Sequence, residues 1–152
     1  MAVQLLHTGL TVSDLDRALR FWRDGLGMEV VMQQEKQGGY LEEIVVEPGA
    51  HVRMAHLAFP GGGHVIELFE YLEPRRHTVQ TRPADVGFKH VCVTCDDIDA
   101  LCNRMVAHGG RPFTPPIVVD TGANAGGRCL YMHDPDGHVL ELFQPPRPPG
   151  QA

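Results

Sequence analysis

Leu15, Ala18, Leu19 and Trp22 fall three and four residues apart, and Ile98, Leu101, Cys102 and Met105 repeat that spacing 83 positions later. Such steps gather apolar side chains on one face of a helix, so each run predicts an amphipathic helix packed against a sheet. Ser13 offers an N-cap for the first helix, and Gly25 and Gly27 offer stops; Gly109-Gly110 ends the second. The other apolar runs are short. Residues 52–59, 65–69, 88–95, 130–133 and 139–143 read as strands. Pro60-Gly61-Gly62-Gly63 and Asp134-Pro135-Asp136-Gly137 read as turns joining two of these pairs into hairpins. The segment 33–39, Gln-Gln-Glu-Lys-Gln-Gly-Gly, reads as a polar loop or a loosely held strand edge.

The chain repeats itself. Leu6-His7-Thr8-Gly9-Leu10-Thr11-Val12 followed by Asp14-Leu15-Asp16 matches Lys89-His90-Val91-Cys92-Val93-Thr94 followed by Asp97-Ile98-Asp99, again 83 positions on. Gly63-His64-Val65-Ile66-Glu67-Leu68-Phe69 matches Gly137-His138-Val139-Leu140-Glu141-Leu142-Phe143, here 74 positions on. Module one therefore carries nine extra residues between its ends. The organisation predicted is α+β: a first module over 1–71, a linker over 72–86, a second module over 87–145, and a Pro-rich tail over 146–152. Each module reads as strand, helix, then several strands.

Composition narrows the partners. Thirteen Lys and Arg stand against 19 Asp and Glu, a net charge of −6 with no basic run, which argues against nucleic acid or an anionic membrane. No apolar stretch has the length of a membrane span, and the start of the chain lacks the layout of a signal peptide. Cys92, Cys95, Cys102 and Cys129 are too sparse for a disulfide scaffold, so a reducing cytoplasm is expected. Cys92 and Cys95 lie three apart on one strand, facing opposite ways, so they read as small buried hydrophobes rather than a zinc or redox pair.

Glu67 and Glu141 each sit in the middle of an apolar strand. An ionised carboxylate there is costly unless a positive group meets it. Strand parity puts Glu67 with Val65 and Phe69, and Glu141 with Val139 and Phe143; His7 shares a face with Gly9 and Thr11, and His90 with Cys92 and Thr94. If two like modules pack about a pseudo-twofold axis, His7, Glu67, His90 and Glu141 can meet at its centre. Two imidazoles and two carboxylates suit one divalent ion (Ni, Co, Zn, Mn or Fe), with positions left for water or substrate. His64 and His138, three residues from their Glu, belong to the other face, in surface or turn roles. His51, His77 and His108 sit in loops or helix ends. His56 and His133 lie on strands, where they read as satisfied core residues or as pocket lining.

At this point the residues resemble the vicinal oxygen chelate superfamily, which includes glyoxalase I, methylmalonyl-CoA epimerase, extradiol dioxygenases and bleomycin resistance proteins. The resemblance spans about residues 4–144. It rests on Leu6-His7-Thr8 with Val12-x-Asp14-Leu15, Phe21-Trp22-x-x-x-Leu26-Gly27-Met28, Val65-Ile66-Glu67-Leu68, His90 with Cys95-Asp96-Asp97-Ile98-Asp99, and Asp134-Pro135-Asp136-Gly137-x-x-Leu140-Glu141-Leu142. It implies paired βαβββ modules forming a curved sheet around a metal, and commonly a homodimer. It also makes Glu67 and Glu141 both ligands and candidate catalytic bases, moving a proton between adjacent carbons of a small molecule that chelates the ion through vicinal oxygens.

Thr11 stands where bacterial glyoxalases carry Arg, and Tyr71 where they carry Asn, positions that hold glutathione in that family. The resemblance thus implies a lyase or isomerase whose substrate is not glutathione-based. Two alternatives accompany it. One is an Fe(II) extradiol-type dioxygenase using His7, His90 and Glu141, with Glu67 crowding the open side; the other is a non-catalytic binding or resistance protein. Candidate substrate contacts are Thr11, His56, Tyr71, Asn124 and Arg128. Asn124 lies in 121–127, which resembles the loop edging the cleft in relatives, and Arg128 reads equally as a substrate-carboxylate partner or a surface charge.

Overall fold

The structure is a computed structural model that describes residues 2–147; the Pro-rich tail expected over 146–152 lies mostly outside the described residues. The chain divides between Val79 and Gln80 into two compact units. In unit one β1 (His7–Val12) leads into α1 (Leu15–Leu19), which runs on as a π-helical stretch over Arg20–Gly25. Then come β2 (Glu29–Gln37), α2 (Tyr40–Val45), β3 (His51–Ala58) and β4 (Val65–Glu73). Unit two runs β5 (His90–Thr94), α3 (Ile98–Ala107), β6 (Arg111–Pro112), β7 (Ile117–Val118), β8 (Arg128–His133) and β9 (Val139–Gln144).

The sheets are variations on one plan. Unit one orders its strands β1-β4-β3-β2, with β1 parallel to β4 and the other pairs antiparallel. Unit two orders β5-β9-β8-β6, with β5 parallel to β9 and β7 pairing with β8 beside β6. Each is a βαβββ module, and the chain is α+β as its periodicity predicts.

One face of each sheet is closed by its helix. Leu15, Ala18, Phe21 and Trp22 are fully buried, as are Ala55, Leu57 and Leu68. In unit two Ile98, Met105, Met132, Leu140 and Leu142 are likewise fully buried. Each such Leu or Ile contributes roughly 1.5–3 kcal/mol. The first helix is capped one residue later than expected. Asp14, not Ser13, has the extended backbone of an N-cap and accepts from the Arg17 N–H at 2.9 Å. Ser13 instead accepts from Arg17 Nη2 at 2.6 Å. Asp97, the repeat-equivalent of Asp14, caps α3 in the same way through Ala100.

The reading of 33–39 as a polar loop is corrected to its alternative, because residues 33–37 complete edge strand β2, paired from Gln33 with Ala55 to Gln37 with His51. Its polar side chains suit an unpaired sheet edge. Helix α2 has too few residues to show a helical period, and it follows directly. Leu41 and Val45 of α2 pack with Val52, Met54, Phe69 and Tyr71, roofing one end of the second face of the sheet. Gly27 to His56 covers 29 steps where Gly110 to Tyr131 covers 21, so eight of the nine extra residues lie in this β2–α2 region.

Candidate metal centre

The uncovered part of the unit one sheet carries the chemistry. In the parallel pair Gly9 stands beside Glu67, and in the antiparallel pair His56 stands across from it. Glu67 therefore lies on a central strand with His7 two residues along β1 and His56 directly opposite on β3. His7 Nε2 lies 3.3 Å from Glu67 Oε2, and His56 Nε2 lies 2.6 Å from Oε1. The two imidazole centroids are 5.9 Å apart. Glu67 thus gives one oxygen to each histidine. Its side chain keeps only 13% of its exposure, a poor setting for an unpaired carboxylate.

Unit two repeats the pair. Cys92 stands beside Glu141 on β5, and Tyr131 stands across from it on β8. His90 Nε2 lies 3.0 Å from Glu141 Oε2, with the Glu141 side chain 20% exposed. Tyr131 occupies the position of His56, its ring 5.0 Å from that of His90. Around them is an aromatic wall; strand parity places Phe88 with His90, whereas Phe113 follows the end of β6 and is not singled out by the sequence. Phe88 lies 6.1 Å from His90 and 6.3 Å from Tyr131, and Phe113 lies 6.1 Å from Tyr131 and 4.5 Å from His133. The Cys92 thiol is pushed up to about 11, by burial first and then by the charge of Glu141. The Tyr131 hydroxyl is raised by the same two causes in the same order.

The donor set fits a divalent cation. Among the described residues the ion-pair partners of both carboxylates are imidazoles alone, neutral unless protonated. Imidazole nitrogen with carboxylate oxygen is the combination that Zn, Ni, Co, Mn and Fe(II) accept. Among the described residues no group of three or more His, Cys, Asp or Glu is gathered tightly enough to hold an ion, so the structure supplies His–Glu pairs, one to each unit. In unit one His56 is hydrogen-bonded to Glu67, and His7 lies within ion-pair distance of the same carboxylate.

The other expected residues are placed as follows. Thr11 lies on β1 opposite Phe69, on the face that carries Glu67. Tyr71 lies on that face too, its ring 6.1 Å from Phe69 and its hydroxyl raised by burial first and then by Glu47 and Glu67. Asn124 is exposed in the loop before β8, its carbonyl accepting from the Gly127 N–H at 2.9 Å. Arg128 forks onto Asp99 of α3, with Nη1–Oδ2 at 2.5 Å and Nη2–Oδ1 at 3.0 Å. His64 bonds Thr8 Oγ1 at 2.7 Å. His133 Nδ1 meets the Gly137 carbonyl at 3.0 Å, fixing the β8–β9 turn. Among the described residues no helix is long and apolar enough to cross a membrane.

Comparison with known proteins identifies the family and the fold. The family model of the Glyoxalase/Bleomycin resistance protein/Dioxygenase superfamily matches residues 4–142. A 2-epi-5-epi-valiolone epimerase from Actinomyces sp is 32% identical over 149 residues, covering 95% of this chain and 81% of that protein. A lactoylglutathione lyase from Haemophilus influenzae is 28% identical over 145 residues, covering 93% of each. In fold, a glyoxalase family protein from Bacillus cereus superposes with a TM-score of 0.85 at 21% identity, covering 97% of each chain. With its two βαβββ units and a His–Glu pair repeated in both, the chain belongs to the glyoxalase/bleomycin resistance protein/dioxygenase superfamily.

Proposed function

We propose that this protein is a divalent-metal-dependent lyase or isomerase, moving a proton next to a carbonyl on a small oxygen-chelating substrate. The observation that carries the reading is the duplicated pairing of a strand imidazole with a mostly buried strand carboxylate, His7 with Glu67 and His90 with Glu141. These four would hold one ion of Ni, Co, Zn, Mn or Fe, drawn from one chain or from two copies of it. When bound, the ion stabilises negative charge growing on the substrate's carbonyl oxygen as the neighbouring C–H is broken. A carboxylate takes that proton and gives it back, Glu67 and Glu141 being the two groups able to do so. Removal on one face and return on the other inverts a carbon centre; return to the adjacent carbon completes an isomerisation.

The relatives include an epimerase and lyases, two outcomes of such proton transfer. Thr11 and Tyr71 offer neither a cation nor an amide on the Glu67 face, which favours a substrate without glutathione. The four cysteines are all free thiols, in keeping with a reducing cytoplasm. Metal analysis followed by a solvent-deuterium exchange screen of small hydroxyketones tests the proposal. Deuterium should enter next to the carbonyl with metal-loaded protein and not with apo protein. Iron-dependent O₂ uptake on catechols, or exchange indifferent to metal, would overturn it.

A further inference from the structure

The two glutamates stand at repeat-equivalent positions, yet their neighbours across the sheet differ. Glu141 faces Tyr131, whereas Glu67 faces His56 and is bonded to it at 2.6 Å. This is a short hydrogen bond of the charge-assisted kind, in which a ring N–H donates to a carboxylate. It engages Oε1 and leaves Oε2 on the side of His7. The backbone that carries His56 is held firmly. It sits on β3, an interior strand of its sheet, between Ala55 and Leu57, both fully buried against the helix side. On β2 its register partner is Met32, whose side chain brings no competing carboxylate.

We propose that His56 is a positioning residue for Glu67, donating from Nε2 to Oε1 so that the carboxylate presents Oε2 alone toward the ion that it shares with His7. The inference rests on the metal-dependent reading above and deepens it. A carboxylate fixed by an outer hydrogen bond loses rotamer freedom before the ion arrives, and meets it through one oxygen. Removing such a partner lowers metal affinity by roughly 10–100-fold. Module two has no imidazole at the equivalent position, so the outer contact belongs to module one.

The test titrates apo full-length protein with Co(II) alone, in competition with a chromophoric chelator, for the wild type and for His56→Phe, His56→Gln, His7→Ala and Glu67→Ala. His56→Phe should weaken Co(II) binding by about 10–100-fold while circular dichroism stays native. His56→Gln keeps an N–H donor and should recover most of the loss. Adding His56→Phe to Glu67→Ala should change nothing further. In apo protein with ¹⁵N-labelled histidine, the His56 ring N–H resonance should lie downfield and move on Glu67→Ala, a readout that needs no metal. If His7→Ala and Glu67→Ala weaken binding but His56→Phe does not, the positioning role is overturned and the metal centre stands. If none of the variants affects Co(II) binding, the centre itself is overturned, and the role of His56 with it.

Discussion

Cys92 lies directly alongside Glu141 in the β5–β9 pair, where Gly9 lies alongside Glu67 in β1–β4. A Cβ built on Gly9 would come 3.7 Å from Glu67 Oε2, an ordinary contact, so one carboxylate has open space at its flank and the other has a sulfur. The thiol is pushed up to about 11, by its burial first and then by the charge of Glu141. At pH 8 a thiol at 9.0 is about one-tenth ionised, and one at about 11 is ionised on the order of 100-fold less. Cys92 should therefore alkylate with iodoacetamide roughly tenfold more slowly than an ordinary thiol, the scarcer thiolate being partly offset by its greater nucleophilicity, read by peptide mass spectrometry. Glu141→Gln should speed the reaction.

Glu141→Gln should also abolish turnover without unfolding the protein. The amide keeps the shape of the side chain but takes no proton, so kcat should fall by about 10²–10⁴. The thermal midpoint should move by no more than a few degrees. A variant with wild-type kcat would remove Glu141 from the reaction.

His7→Ala should lower bound metal sharply, measured by elemental analysis after dialysis, because it removes an imidazole ligand from the proposed set. Unchanged stoichiometry would exclude His7.

Asp134 is fully buried at the β8–β9 turn and accepts from the N–H groups of Asp136 at 2.9 Å and His138 at 2.8 Å. Asp134→Ala should cost about 1–3 kcal/mol, the penalty for stranding those donors, measured by urea denaturation. Burial, the largest influence, raises its carboxyl above the ordinary 3.8 against the pull of His138. A raised acid binds more protons in the folded than in the unfolded state, so its contribution is most favourable below the unfolded value. That contribution falls as pH climbs from there through the folded value. Asp134→Asn should flatten this part of the pH–stability curve.

Glu70 is buried on the helix side of β4 and accepts from Arg53 Nη1 at 3.1 Å, the Leu15 N–H at 3.3 Å and Arg76 Nη1 at 3.4 Å. Arg53 also reaches Asp16 at 3.2 Å, tying α1 to the sheet. Arg53→Met should destabilise the protein by about 2–4 kcal/mol, somewhat under the loss from breaking a fully buried pair, since Arg76 remains. Loss of cooperativity confined to unit one in hydrogen exchange would support the same contact.

How much of this was legible depended on whether the signal was repeated. The helices at Leu15 and Ile98, the hairpin turns, and the pairing of His7 with Glu67 and His90 with Glu141 all occur twice, and parity placed each on its face. Ser13 looked as good a cap as Asp14 in one copy; comparison with Asp97 would have decided for Asp14. What occurs once was harder to read. The strand over Glu29–Gln37 is an edge, so its polar side chains carry no alternation strong enough to separate it from a loop. Helix α2 has six residues, under two turns. His56 reads from sequence as a core residue, pocket lining or substrate contact, because its bond to Glu67 depends on the β3–β4 register. Arg128 reads from sequence equally as a substrate partner or a surface charge, and the structure joins it to Asp99.

The roof that Leu41 and Val45 form over Met54 and Phe69 belongs to one half of a duplicated chain. Since it enters between strands rather than within them, residues there are free to vary in size and polarity while His7, His56 and Glu67 keep their register. On the proposed function, selectivity for a new small molecule could drift in the inserted segment while the His–Glu pairs present in both halves stay unchanged.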